Sequence, residues 1–291
     1  MVAPVSVFTS AILPIVAVGG VGYLLGSVRD VGTDALNTVV VYVLAPALVF
    51  YSLATTTLGQ STLARITVAV VAFHVVAILV AEAAGRAVGA SRTALAALVL
   101  VTAFPNTGNY GIPVSNFAFG ATGRATAVVA LSVQAVLIYT VGVYVAGRGS
   151  DGGVLAGVRR VFSVPLVYAV AAALLARWLG VVPPTESTAM TTLQLVGDSA
   201  IPLMLLVVGI QLARTDVGST LSAVGGVVGL KMVAAPILGA GVAVAVGFSA
   251  PAVARTLVLG TAMPSAVPPV ILGGEFAEGE VPGGPVTRVG S

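Results

Sequence analysis

Cysteine is absent from the sequence, which excludes disulfides and thiolate metal sites. Histidine occurs once, as His74, so a metal site would have to be built mostly from carboxylates. Charge is scarce: Asp, Glu, Lys and Arg make up 8% of the 291 residues, a third of the roughly 25% that a soluble domain carries. Most of the surface must therefore face lipid, and an integral membrane protein follows. The net charge of +3 comes from isolated residues with no basic run, which argues against a nucleic-acid partner. Arginine outnumbers lysine twelve to one, a bias typical of GC-rich prokaryotic genomes. The opening MVAPVSVFTS lacks the basic flank of a signal peptide, so the first apolar run is expected to stay as a helix.

What the sequence has in abundance is apolar runs of the roughly 20 residues that a spanning helix needs. They lie near 6–26, 35–57, 64–87, 93–120, 124–146, 163–180, 190–212, 219–247 and 252–276, which predicts about nine spans. Alternate connections and the tail carry eight arginines: Arg29, Arg86, Arg92, Arg148, Arg159, Arg160, Arg214 and Arg288. The opposite side has four: Arg65, Arg124, Arg177 and Arg255. The positive-inside rule then places the 147–162 loop in the cytoplasm and the N-terminus outside the plasma membrane.

The two halves of the sequence resemble each other. Leu44-Ala45-Pro46-Ala47-Leu48 matches Ala200-Ile201-Pro202-Leu203-Met204 at an offset of 156, and Thr102-Ala103-Phe104-Pro105 matches Thr261-Ala262-Met263-Pro264 at 159. Similar offsets at distant places predict a duplicated five-helix unit, the second copy inverted because five is odd. The first repeat is read at 1–147, a cytoplasmic linker at 148–162, an incomplete second repeat at 163–276 and a polar tail at 277–291. Inverted repeats mark secondary transporters, with sites at the repeat interface.

The stretch 102–120, TAFPNTGNYGIPVSNFAFG, places two prolines, three asparagines and several glycines inside the fourth span. A helix broken in mid-membrane leaves backbone N–H and C=O groups unpaired, at several kcal/mol each in hydrocarbon. Such a break persists only where protein, water or a ligand satisfies them. The expected break at Pro105–Pro113, through Gly108 and Gly111, corresponds to a second at Pro264-Ser265-Ala266-Val267-Pro268-Pro269 in span 9. Half-helix N-termini at such a crossover suit a carboxylate. Asn106, Asn109, Thr107 and Ser265 could complete its coordination. A pair of proline kinks that only shape packing is the alternative.

These motifs resemble the auxin efflux carrier family. The resemblance rests on Phe104-Pro105-Asn106-Thr107 with Gly111-Ile112-Pro113, and on Ala262-Met263-Pro264 with Val267-Pro268 and Glu275-Phe276. The stretch 197–213, GDSAIPLMLLVVGIQLA, and Lys231 with Pro236 add to it. It covers nearly the whole chain and implies an all-α polytopic membrane protein of inverted five-helix repeats with crossed broken helices, the architecture of sodium/proton antiporters and bile-acid symporters. It further implies a homodimer, an elevator movement against a scaffold of spans 1, 2, 6 and 7, and small organic anions such as malate or malonate, or auxin, as substrates. By the same resemblance Asn106 sits where the substrate is contacted. A tenth helix, expected near 283, has no apolar run to form it.

Ionisable residues within spans are functional candidates by default. Lys231 and His74 lie at repeat-equivalent positions, and Lys231 is expected either to supply positive potential near the crossover or to pair with Asp198. His74 could add a protonation-dependent share or simply pack in a helix interface. Glu82 and Arg86 form an expected i,i+4 pair, and Gln134 and Gln211 are given no role. Tyr168 and Trp178, at opposite ends of span 6, suit interface anchoring, and the shortage of aromatic wall favours a small aliphatic acid. No catalytic constellation, cofactor site or metal site is legible. The rival readings are a sodium- or proton-coupled carrier of the same architecture and a truncated, non-transporting membrane protein.

Overall fold

The computed structural model describes residues 12–146, 165–214 and 229–265. The expected 148–162 linker, the 277–291 tail and the prolines Pro268 and Pro269 lie outside the described residues. Within them the regular structure is helical: α1 Leu13–Val28, α2 Thr33–Ala54, α3 Gln60–Ala87, α4 Arg92–Ala103, α5 Thr107–Leu137, α6 Pro165–Leu179, α7 Thr188–Ala213, α8 Lys231–Val246 and α9 Pro251–Thr261. Among the described residues, α2, α3, α5 and α7 are long and apolar enough to cross a membrane, and α1, α6 and α8 are shorter apolar helices.

The prolines explain a recurrent local feature. A proline inside a helix lacks an N–H and its ring presses on the carbonyl four residues back. The turn preceding Pro46, Pro113 and Pro236 widens into a π-turn each time, at Val40–Leu44, Thr107–Gly111 and Leu230–Ala234. Each π-turn ends two residues before its proline, so the ring enters the first turn of a fresh α-helical segment, where its missing donor is harmless. For Pro113 this overturns the expectation of a helix-breaking residue: it begins a regular segment. Gly108 and Gly111 likewise lie inside the π-turn. The break itself is confined to Phe104, Pro105 and Asn106.

Helix α5 is divided by Gly120, whose φ of 60° and ψ of −147° lie in a region essentially restricted to glycine. Two arms result, 107–119 and 121–137, folded back on each other. Gly123 sits so close to the Ser115 carbonyl and to Phe119 that a Cβ there would collide. The expected boundary between spans 4 and 5 is this single glycine.

Two packed groups surround the break. In the first, α1 and α7 approach backbone to backbone: a Cβ on Gly209 would meet the Gly19 carbonyl and the Tyr23 N–H, and one on Gly22 would meet Leu206 main chain. Small residues permit this separation in membranes. Gly197 of α7 lies equally tight against Ala47 and Leu48 of α2, bringing the two similar Pro-containing motifs together. In the second group α3 packs on α4, and α9 on both α5 and α8. Phe73, Ala77 and Ala81 of α3 form a buried cluster with Val99, Leu100 and Phe104. Polar ties hold the helix ends. Arg65 donates to the Gly247 carbonyl at 2.7 Å and Arg177 to those of Leu53 and Leu58, while Asp30 pairs with Arg214 and Glu82 with Arg86.

Candidate functional site: a joint between two helix breaks

The two breaks meet. The Asn106 N–H donates to the Pro264 carbonyl at 2.7 Å, and Pro105 and Ser265 form an isolated antiparallel bridge. Main-chain groups freed by one interruption thus satisfy those freed by the other, which is what burial away from water demands. Pro105 is buried and Pro264 exposed, while Asn106 and Ser265 are partly buried.

The segment after the break is organised by Asn106. Its side-chain Oδ1 accepts from the Asn109 N–H at 3.0 Å and its carbonyl accepts from the Gly111 N–H at 3.0 Å. Asn106 is therefore the N-cap of α5, and its amide NH2 remains as the group able to donate to a ligand. Asn109 enters these bonds through its backbone. Both residues are partly exposed, as are Gly108 and Tyr110. Helix α5 presents its N-terminal, partially positive end here, and α7 of the first packed group lies against the same turn.

Thr107 points the other way. It is buried, and its hydroxyl donates to Gln134 Oε1 at 2.8 Å, while Gln134 Nε2 donates to the Pro105 carbonyl at 2.6 Å. The Thr107 hydroxyl expected to coordinate a ligand is thus committed to a brace between the two arms of α5. Gln134, given no role in the sequence reading, fixes the break from behind. The signal that could have found it is a buried carboxamide on the helix following a break, but its register against Thr107 depends on the hairpin at Gly120.

Lys231 and Asp198 do not pair. Lys231 is buried and its Nζ donates to the Thr102 carbonyl at 3.1 Å, in the last turn of α4. There it satisfies an orphan carbonyl of a helix ending in mid-span and sets a positive group at the negative end of the helix dipole. Asp198 pairs with Arg124 instead. Physical reach decides this: Arg124, just past the Gly120 reversal, is carried to α7, whereas Lys231 is occupied on the far side of α4.

Behind the joint lies a small cavity of about 40 Å³, bounded by α3, both arms of α5, α8 and α9. Its wall is mainly apolar, with Thr107, Gln134, Thr256, Thr261, Ser115 and His74 as polar members. His74 Nδ1 donates to the Val70 carbonyl at 2.7 Å, and its ring lies 5.1 Å from that of Phe104. His74 Nε2 and Ser115 Oγ are buried with no hydrogen-bond partner among the described residues. Orphaned buried polar atoms are uncommon, and these two line one cavity. No group of His, Cys, Asp and Glu that could hold a metal ion occurs among the described residues.

A family model described as "Membrane transport protein" matches residues 7–155 and 158–280, nearly the whole chain. No curated protein matches it.

Proposed function

The chain belongs to the auxin efflux carrier-like family of membrane transport proteins, and we propose that this transporter is a secondary carrier of small organic anions whose carboxylate binds where the two helix breaks meet. The observation that carries the reading is the main-chain bond from Asn106 to Pro264. It fixes a half-helix N-terminus, the Asn106 amide and Ser265 at one partly exposed place, beside α7. Positive dipole, N–H donors and amide favour a carboxylate, and the absence of a carboxylate among these groups disfavours a cation.

In this reading residues 1–147 and 163–276 are the two inverted repeats, and α3, α4, α5, α8 and α9 move together as an elevator against α1, α2, α6 and α7. The protein is a homodimer in the plasma membrane with its N-terminus outside. An anion moving with the membrane potential is exported, driven by about 2.3 kcal/mol per charge per 100 mV.

The test is binding and transport of carboxylates by the purified full chain. Malonate, malate and indole-3-acetate are compared by the shift they produce in the unfolding temperature, since a ligand of the folded state stabilises by mass action. Asn106→Ala in reconstituted vesicles is expected to lower uptake at least tenfold while the protein stays folded. Unaltered uptake would place the substrate elsewhere, and no uptake by wild type of any carboxylate would favour a non-transporting protein. A proton-coupled variant of the reading is favoured by one observation: His74, in the wall of the cavity, has an Nε2 with no hydrogen-bond partner among the described residues. It predicts that His74→Gln abolishes the pH dependence of uptake.

A further inference from the structure

A second polar pocket lies away from the joint, between the C-terminal end of α2 and the start of the second arm of α5. It is lined by Ser52, Thr55, Thr56, Thr57, Thr122 and Arg124, and has a volume of about 90 Å³. Five hydroxyls and one guanidinium line it with no carboxylate; the Thr55 hydroxyl donates to the Tyr51 carbonyl at 2.8 Å, and the others with Arg124 are potential donors.

Two features go beyond composition. Ser52 is 4% exposed and its Oγ has no hydrogen-bond partner among the described residues, although a buried hydroxyl ordinarily has one. Arg124 is more deeply placed than the acid it pairs with: its side chain is 16% exposed, that of Asp198 44%. A largely buried guanidinium needs a counter-charge, whereas a half-exposed carboxylate can return to water at little cost. Asp198 takes a single guanidinium nitrogen, and arginine offers five N–H donors. The first-turn N–H groups of the arm beginning at 121 add to the same potential.

We propose that this pocket is a carboxylate-binding site separate from the joint, in which an incoming carboxylate engages Ser52 and Arg124 and takes the guanidinium over from Asp198. Since Arg124 belongs to the helix that carries the Asn106 cap and Asp198 belongs to α7, occupancy of the site loosens a tie between the two packed groups. The inference stands whether or not the joint itself binds substrate.

The experiment uses the full chain purified in detergent, with malonate as probe, and derives affinity from the unfolding temperature as a function of malonate concentration. Ser52→Ala removes a hydroxyl that bonds to nothing among the described residues, so the unfolding temperature without malonate stays unchanged while affinity falls about tenfold, the effect of one hydrogen bond to a charged group. Arg124→Gln weakens binding at least as much. Asp198→Asn removes the competing charge and tightens binding, an effect opposite in sign to that of a structural ion pair. Asn106→Ala leaves this affinity intact, which separates the site from the joint. The proposal is overturned if malonate fails to stabilise the wild type, if Asn106→Ala abolishes all stabilisation, if Ser52→Ala and Arg124→Gln leave it unaltered, or if Asp198→Asn weakens it.

Discussion

Gln134 holds Thr107 and Pro105 at once: its carboxamide oxygen accepts from the Thr107 hydroxyl at 2.8 Å while its nitrogen donates to the Pro105 carbonyl at 2.6 Å. One side chain on the second arm of α5 therefore sets the position of the break on the first. Replacing Gln134 by Leu keeps the volume but removes the acceptor of the buried Thr107 hydroxyl and one donor to the Pro105 carbonyl, which keeps the Thr107 N–H at 2.9 Å. Loss of these bonds in a buried place costs about 1–3 kcal/mol. Q134L is expected to lower the unfolding temperature by several degrees in detergent, and Q134E to be milder because a protonated carboxyl keeps both a donor and an acceptor. Equal stability of Q134L and wild type would show that the brace contributes nothing.

Lys231 provides a comparison between two chemistries at one position. If its work is to supply an N–H to the Thr102 carbonyl, Lys231→Gln should retain most of the stability, whereas Lys231→Met should lose about 1–3 kcal/mol. If its charge also draws an anion to the joint, both variants should bind malonate more weakly to a similar extent. Thermal unfolding and malonate titration of the same two preparations separate these contributions.

Gly209 tests the contact between α1 and α7. A methyl group there points at the Gly19 carbonyl and the Tyr23 N–H, and main chain cannot rotate out of the way as a side chain can. Gly209→Ala should force the two helices apart and destabilise the protein by about 1–3 kcal/mol, the usual range for overpacking. Gly241→Ala, in α8 with nothing near its Cβ, serves as the control and should be neutral or slightly stabilising, since alanine favours helix. Similar losses in both variants would remove the packing argument.

Much of the architecture was legible in the sequence because membrane physics leaves few options. Apolar runs longer than about 20 residues must be helices, and prolines with asparagines inside one of them must mark an interruption. The interruption expected at 105–113 is found at its N-terminal end, Phe104–Asn106, and of the one expected at 264–269 only Pro264 and Ser265 are described; the Glu82–Arg86 pair follows from helical spacing. What the rules could not distinguish is a proline that ends a helix from one that starts a helix. Pro113 has the same composition around it as a breaking proline, and only the π-turn ahead of it makes it an initiator. Side-chain partners across helices were also beyond reach. The sequence leaves Lys231 with two alternatives, a role near the crossover or a pair with Asp198, but the true neighbour of Asp198 depends on the reversal at Gly120, which swings Arg124 toward α7. The commitment of Thr107 to Gln134 depends on the same reversal. A single glycine with positive φ thus controls two pairings that linear spacing does not encode.

The bond joining the two breaks runs between main-chain atoms, from the N–H of residue 106 to the carbonyl of residue 264. Except for proline at position 106, no substitution at either position removes one of its atoms. Mutation can therefore vary the side chains around the joint without unpicking the join itself. The contact between the two interruptions is thus written in the backbone, and the sequence at 106 and 264 decides only what is displayed around it.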